Sequence, residues 1–597
     1  MKNYKEVKNV LNWKKILSVG AVAGMIFGST SAFAAKGVSQ DQNVNDYKYA
    51  NHVAFGALIG QNQAAHDISF VGQGAVGSKW SDQTQNAFKG TIQLQGAAGK
   101  LLGQNQSSAN GTSQQQNVYW DKGSDQTQTS VNLAGQLQGA LGLLIGQNQA
   151  SQNLGLQAQQ AAGKHNDQSQ TSVNGNLQGQ LAGGALIGQN QDAFNGSIQD
   201  QQTAGKGNDQ TQGNGNINLQ GQAAVGALIG QSQGAYNEAE QGQVATGAYN
   251  DQNQGAGTIT AQGQLAAGVL IGQSQEAGNS SQQLATTDGY KNDQNQAVVG
   301  GTAQGQLAVG GLIGQSQSSG NGTVQGATSE GAKNDQTQVS ASGTLQGQAA
   351  AGVGVGQEQA SSNDTTQVSD VDGYKNDVVQ VGVNGTAQGQ LGGSGAEQAQ
   401  DSSNTTTQGA ATEGKYNDQV QVAANGTTQG QVGENADQEQ SSTNTTDQGA
   451  ASEGKGNDQV QVAANGTDQS QTGECDVDQD QSSTNTTAQG ADADGKNNEQ
   501  AQVATNATEQ TQGGAEGADQ SQTATTDSAQ GATAVGANNE QAQAAATETQ
   551  QVQAGSGNVT QTQNSSSVSN QLAAAFGAGI SQGQSSSSTV VQAQSAN

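Results

Sequence analysis

The chain has 597 residues, of which 88 are Gly and none is Pro, and its formal net charge is −29. Hydrophobic residues make up 31% of the chain and aromatic residues only 3%, so it has too few large side chains for a conventional globular core. All the basic residues are Lys, and they are scattered, which excludes the basic patch that binding to nucleic acid phosphates requires.

Residues 1–34 are predicted to be a secretory signal peptide. Lys14 and Lys15 precede an apolar run over residues 16–27, and the small-x-small site at residues 32–34 fits signal cleavage. The apolar run is shorter than the ~20 residues that span a bilayer, which favours cleavage over a membrane anchor. We therefore expect a secreted protein, extracellular or on the cell surface, with no membrane span after cleavage.

The rest of the chain is dominated by one repeat. A Gln-x-Gln motif recurs every 43 to about 41 residues, and a second series lies about half a repeat away, as at Gln231, Gln252 and Gln273. The organisation is predicted as an N-terminal cap or docking segment (35–60), repeats with an apolar Leu-Ile-Gly step (61–356), acidic hydrophilic repeats (357–563) and a C-terminal cap or tail (564–597).

The paired Gln residues lie at positions i and i+2, which places both on one face of a β-strand. Asn-Gly pairs such as Asn384-Gly385 and Asn425-Gly426 favour turns between short strands, and turn chemistry also accounts for Asn-x-Ser/Thr patterns that resemble glycan acceptors. Stacked in register, such strands form an all-β solenoid with Gln ladders inside. The predicted ladder residues are Gln189, Gln191, Gln210, Gln212, Gln231, Gln233, Gln252, Gln254, Gln273 and Gln275.

The 42-residue unit allows two kinds of stacking. One wide coil places Ile on Ile and Asp on Asp, whereas two strand-turn-strand rungs of about 21 residues place the Leu-Ile-Gly step on the Asn-Asp step. Ala, Val and Gln suit the ~10 Å gap between two close sheets, so two rungs are the prediction. Such a rod would be roughly 125 Å long. Disorder is the alternative for a Gln-rich chain, but the absence of Pro and the low charge favour strands.

No residue pattern indicates catalysis or a cofactor. The three His residues and the single Cys475 are far apart in a rod, so a nucleophile-base pair is not expected. Weak candidate metal ligands alternate along what reads as one strand face, at Glu474, Asp476, Asp478 and Asp480, but the spacing matches no EF-hand loop. The interpretation is a non-enzymatic protein without cofactors.

The order Gln419, Asn425, Gly426, Gln429 resembles curlin repeats, those of the curli-type bacterial functional amyloids. The resemblance implies export, self-assembly and a fibre or biofilm-matrix role, with the chain itself as partner. The alternative is a monomeric solenoid that acts as an adhesin or surface stalk and binds a host, a surface or a partner protein, with surface or matrix components as its partners. An ice-binding solenoid is disfavoured because the Thr runs are too irregular.

Overall fold

The computed structural model describes residues 30–33, 36–76, 79–122, 125–165, 167–434, 436–474, 478–514, 519–538, 540–555, 560–578 and 581–596. The predicted signal peptide lies almost entirely outside these residues. Side chains are described from Gln85 onwards, with short gaps.

The described residues form twenty-five β-strands and no helix. The strands are β1 (Thr30–Phe33), β2 (Lys36–Val76), β3 (Lys79–Lys122), β4 (Asp125–Lys164), β5 (Asp167–Gly183), β6 (Leu186–Lys206), β7 (Asp209–Val225), β8 (Leu228–Ala248), β9 (Asp251–Ala267), β10 (Leu270–Tyr290), β11 (Asp293–Val309), β12 (Leu312–Ala332), β13 (Asp335–Ala351), β14 (Gly354–Tyr374), β15 (Asp377–Ser394), β16 (Ala396–Lys415), β17 (Asp418–Glu434), β18 (Asp437–Lys455), β19 (Asp458–Glu474), β20 (Asp478–Lys496), β21 (Glu499–Gly514), β22 (Asp519–Ala537), β23 (Glu540–Gly555), β24 (Thr560–Ala578) and β25 (Ser581–Ala596).

Each coil of the solenoid is one full 42-residue unit. The parallel register pairs Leu270 with Leu312 and Asp293 with Asp335, and from β5 onwards a strand stacks on the next strand but one. The predicted β-solenoid is confirmed, but the predicted 21-residue rung is wrong. Because each coil adds one layer per 42 residues, the stack is about 62 Å high, half the predicted length.

The coil consists of two long strands that face each other. Strands β5, β7, β9 and every second strand up to β25 form layer A, and β6, β8, β10 and every second strand up to β24 form layer B. The longer β2, β3 and β4 run through both layers. In the strands whose side chains are described, buried and exposed residues alternate, as in β5.

Two turns close the coil. At the arch from layer A to layer B, Gly226 lies so close to the coil below that an added Cβ would be 2.3 Å from the carbonyl oxygen of Gly184. At the opposite turn, Gly289 has a φ of +141°, and an added Cβ would lie 1.5 Å from the Gly247 oxygen. Only glycine fits at these two positions, because the backbones of consecutive coils lie against each other there.

The interior is mostly polar. The largest apolar column lies at the arch, where Ile and Ala residues of successive coils form one buried cluster: Leu102, Ile145, Ile187, Ile229, Ile271, Ile313 and Val355, with Ala partners. Smaller buried clusters of Ala and Val lie elsewhere in the coil. In the Leu-Ile-Gly step, the Ile is buried and the Leu is exposed, for example Ile271 at 5% and Leu270 at 42%. Amide and hydroxyl side chains, interspersed with Ala and Val, occupy the rest of the interior.

The predicted end segments belong to the stack. Residues 36–60 lie in β2, which pairs with β3 along nearly its whole length. Residues 564–578 and 581–596 lie in β24 and β25, which pair with β22 and β23 in the repeat register.

Candidate functional site: the buried amide ladders

The ten predicted ladder residues are all buried, each at most 3% exposed. The amide nitrogen of each donates to the side-chain oxygen of the Gln one coil below, at 2.7 to 3.1 Å. In one column, Gln273 donates to Gln231 and accepts from Gln315, both at 2.8 Å. The predicted Gln ladder is therefore confirmed, and it satisfies buried polar groups that would otherwise be costly.

The Gln side chains also join the two layers, a role that the sequence did not indicate. Gln264 of layer A donates to Gln222 within its column and to the backbone oxygen of Ser274 in layer B, at 3.1 and 3.0 Å. Gln275 of layer B reaches the Gly305 oxygen of layer A at 3.3 Å. Bonds such as that of Gln264 join positions 10 or 14 residues apart across the arch, a relation that becomes apparent only when the arch is known.

An Asn ladder runs through the middle of the coil. Asn279 donates to Asn321 of the next coil at 2.8 Å and to Thr302 Oγ1 across the layers at 3.0 Å. Asn384 and Asn425 are buried in the middle of β15 and β17, so the turns predicted at their Asn-Gly pairs are wrong. Asn occurs there because its short amide can bond both the next coil and the facing strand.

A second Asn column closes the turn opposite the arch. The backbone N–H of Asn250 donates to Asn292 Oδ1, and that of Asn292 to Asn334 Oδ1, both at 2.9 Å. These Asn residues are fully buried. The Asn-Asp motif is thus a true turn signal, unlike Asn-Gly.

The residues that carry the curlin-like order lie together on one strand. Gln419, Asn425, Gly426 and Gln429 are all in β17, with no turn between them. Three of them, Gln419, Asn425 and Gln429, are buried and Gly426 faces outwards. The order therefore describes half of a coil.

The weak metal candidates do not share one strand. Glu474 ends β19 in layer A, Asp478 and Asp480 belong to β20 in layer B, and Asp476 lies outside the described residues. The predicted single strand face is therefore wrong. Among the residues described, no group of three or more His, Cys, Asp and Glu is placed to hold a metal ion. Cys475 also lies outside the described residues.

Carboxylates stack on one another where layer A begins. Asp209, Asp251, Asp293 and Asp335 occupy one register column. Partial desolvation, and then repulsion from the Asp one coil away, raise the pKa of Asp251 and Asp293. In layer B, burial raises the pKa of Asp200 to about 6. These acids bind protons more tightly in the folded chain than in the unfolded chain.

Because of these stacked Asp residues, we predict that moderate acid stabilises the solenoid. A raised carboxyl pKa means a penalty at neutral pH that is relieved as the pH falls through the folded pKa and is gone near the unfolded value of 3.8. We expect the free energy of unfolding to rise from pH 7 to pH 4, beginning near pH 6, in denaturant titrations. Asp251→Asn with Asp293→Asn should reduce that rise, and a steady loss of stability over this range would contradict it.

We compared the chain with known proteins. No family model, curated protein or solved structure matched. In the part of the chain that the structure describes, no helix is long and apolar enough to cross a membrane.

Proposed function

We propose that this protein is a secreted structural subunit that self-assembles by stacking coil on coil into fibres of functional-amyloid type. The observation that carries the proposal is the in-register amide ladder. Each coil presents the same row of donors and acceptors that it receives from the coil below, so a coil is a template for a further identical coil.

The edges of the stack support this proposal. Among the described strands, β24 and β25 pair with β22 and β23 on one side only. In β25, the side chains from Ser585 to Val591 are exposed. Parallel strands with free N–H and C=O groups are ready to pair with another chain, and a second copy offers the matching register.

In this proposed role the chain is structural and catalyses no reaction. Its buried polar groups are repeated at the coil spacing, whereas catalytic groups are singular and placed around a substrate. The second candidate is a monomeric stalk that adheres to a surface or a matrix component, which the exposed Leu residues of the layers favour.

The test is growth from the end of the stack. Ser586→Pro with Ser587→Pro removes backbone donors in β25, and we expect at least tenfold slower elongation of preformed filaments, followed by electron microscopy and dye binding. Ser586→Ala with Ser587→Ala is the matched control and should elongate within about twofold of the wild type. A wild-type protein that keeps the mass of one chain at every concentration and ageing time would contradict the proposal and favour the stalk.

A further inference from the structure

The outer face of layer A is apolar and uncharged over eight successive coils. From β4 to β17, the outward residues between the Asp column and the arch are Gly, Ala, Val, Leu, Ile, Thr, Ser and Asn. Many of the large ones are exposed, including Leu181 at 63%, Leu307 at 45% and Leu391 at 54%. Carboxylates border this face at the Asp column and, in β17, at Glu434 beside the arch, and the first charged residue between these borders is Asp468 in β19.

The outer face of layer B is different. In the same coils its outward residues include carboxylates such as Asp192, Glu276 and Glu358, together with an exposed Leu column at the arch that contains Leu228 and Leu270. In later coils the carboxylates lie in register, as Glu397, Asp437 and Asp478 do. The solenoid therefore has one uncharged side and one acidic side. Like charges on the acidic side oppose its contact with another copy, whereas nothing of that kind protects layer A.

The outer face of layer A has two columns of glycine that leave space for the close approach of another molecule. One column contains Gly221, Gly263, Gly305, Gly347, Gly389 and Gly430, and a second contains Gly301, Gly343, Gly385, Gly426 and Gly466. An added Cβ would meet no atom of this chain within 4 Å at any of them, and none has a positive φ. Packing within one chain therefore does not require glycine there, although glycine weakens a strand and marks places where another backbone approaches.

The columns form ridges and grooves along the stack. The first glycine column lies between a ridge that contains Leu177, Leu219 and Leu345 and a ridge that contains Leu265, Leu307 and Leu391. The ridges repeat with the coil, so a partner that fits the grooves along their whole length must repeat at the same spacing. A second copy of this chain has that spacing and the same ridges.

The face is large enough for a stable pair. It extends about 45 Å along the strands and about 38 Å along the stack, roughly 1,700 Å² in outline. A standard stable interface buries about 800 Å² on each partner. Layer B also has a glycine column, which contains Gly272 and Gly314. From Glu397 onwards, carboxylate residues occupy this column in place of glycine.

We infer that the outer face of layer A binds the same face of a second copy, forming a four-layered pair with both acidic B faces towards solvent. Ridges of one copy enter the glycine grooves of the other. This pairing is lateral and does not depend on growth from the ends of the stack. Because the acidic faces repel one another, association stops at two copies.

The test places charge in a groove. Gly263→Lys with Gly305→Lys adds two Lys side chains where a Cβ meets nothing, so the single chain should fold as before. The matched control, Gly272→Lys with Gly314→Lys, adds the same residues at equally open positions of layer B. In freshly diluted protein, before filaments elongate, we expect light scattering to give twice the chain mass for the wild type and the control, and one chain mass for the layer A variant.

Filaments give a second measurement that separates pairing from end growth. The mass per length should correspond to two coils per ~4.8 Å layer in the wild type and to one coil in the layer A variant. Wild-type filaments with one coil per layer, or a layer A variant that still pairs, would overturn the inference and leave the proposed function intact. Binding of single copies to neutral phospholipid vesicles, lost only in the layer A variant, would assign the face to a lipid surface and also overturn it.

Discussion

Replacing Gln273 by Glu is expected to lower the free energy of unfolding by about 3 kcal/mol at pH 7. Gln273 is 3% exposed and donates its amide N–H to Gln231 Oε1 at 2.8 Å. A carboxylate has no proton to donate, so two oxygens would face each other in the interior. The loss should appear in denaturant titrations and as faster amide hydrogen exchange in β8, β10 and β12.

The pH dependence of this variant distinguishes a broken ladder from a packing defect. Below the raised pKa of the buried Glu, its protonated form donates again to Gln231, and stability should recover towards the wild type. Ser274→Glu is the matched control, since Ser274 is the next residue and faces outwards. It should change stability by less than about 0.5 kcal/mol. Equal losses in both variants would show that the ladder bond contributes nothing particular.

Ile271→Ala is expected to lower the free energy of unfolding by about 3 kcal/mol, because it leaves a cavity in the apolar column at the arch. Ile271 is 5% exposed and belongs to the buried cluster with Ile229 and Ile313. Its neighbour Leu270 is 42% exposed, so Leu270→Ala should cost less than about 1 kcal/mol. Denaturant titration of the two variants provides the comparison, and the reverse order would place the Leu, not the Ile, in the core.

The two faces of the solenoid explain why one chain combines an apolar sheet with a net charge of −29. The carboxylates lie at the turn that begins layer A, on the outer face of layer B, and in the later coils. Layer A of the earlier coils has many of the large exposed apolar residues, and others lie at the arch, at the opposite turn and on layer B. Side chains alternate between the interior and the outer face along each strand. Once one residue of a strand is known to be buried, the side on which every other residue of that strand lies is therefore known.

The Asn residues show where local rules mislead. Asn-Gly is a strong hairpin signal in isolation, yet Asn384-Gly385 lies in the middle of β15. There the Asn384 amide bonds the Thr405 oxygen and Thr406 Oγ1 of the facing strand. The energy of a satisfied buried amide outweighs the local preference for a turn, and only contacts distant in sequence reveal it.

The sequence by itself determined the strands and the ladder. Gln at i and i+2, with no Pro to interrupt hydrogen bonding, requires stacked strands with amides inside. It did not determine which strand stacks on which, because Gln231 and Gln252 lie 21 residues apart and a shift of half a unit also places Gln on Gln. The tertiary structure shows that one coil has 42 residues. Only that register places Ile on Ile at the arch and Asn on Asn at the turn.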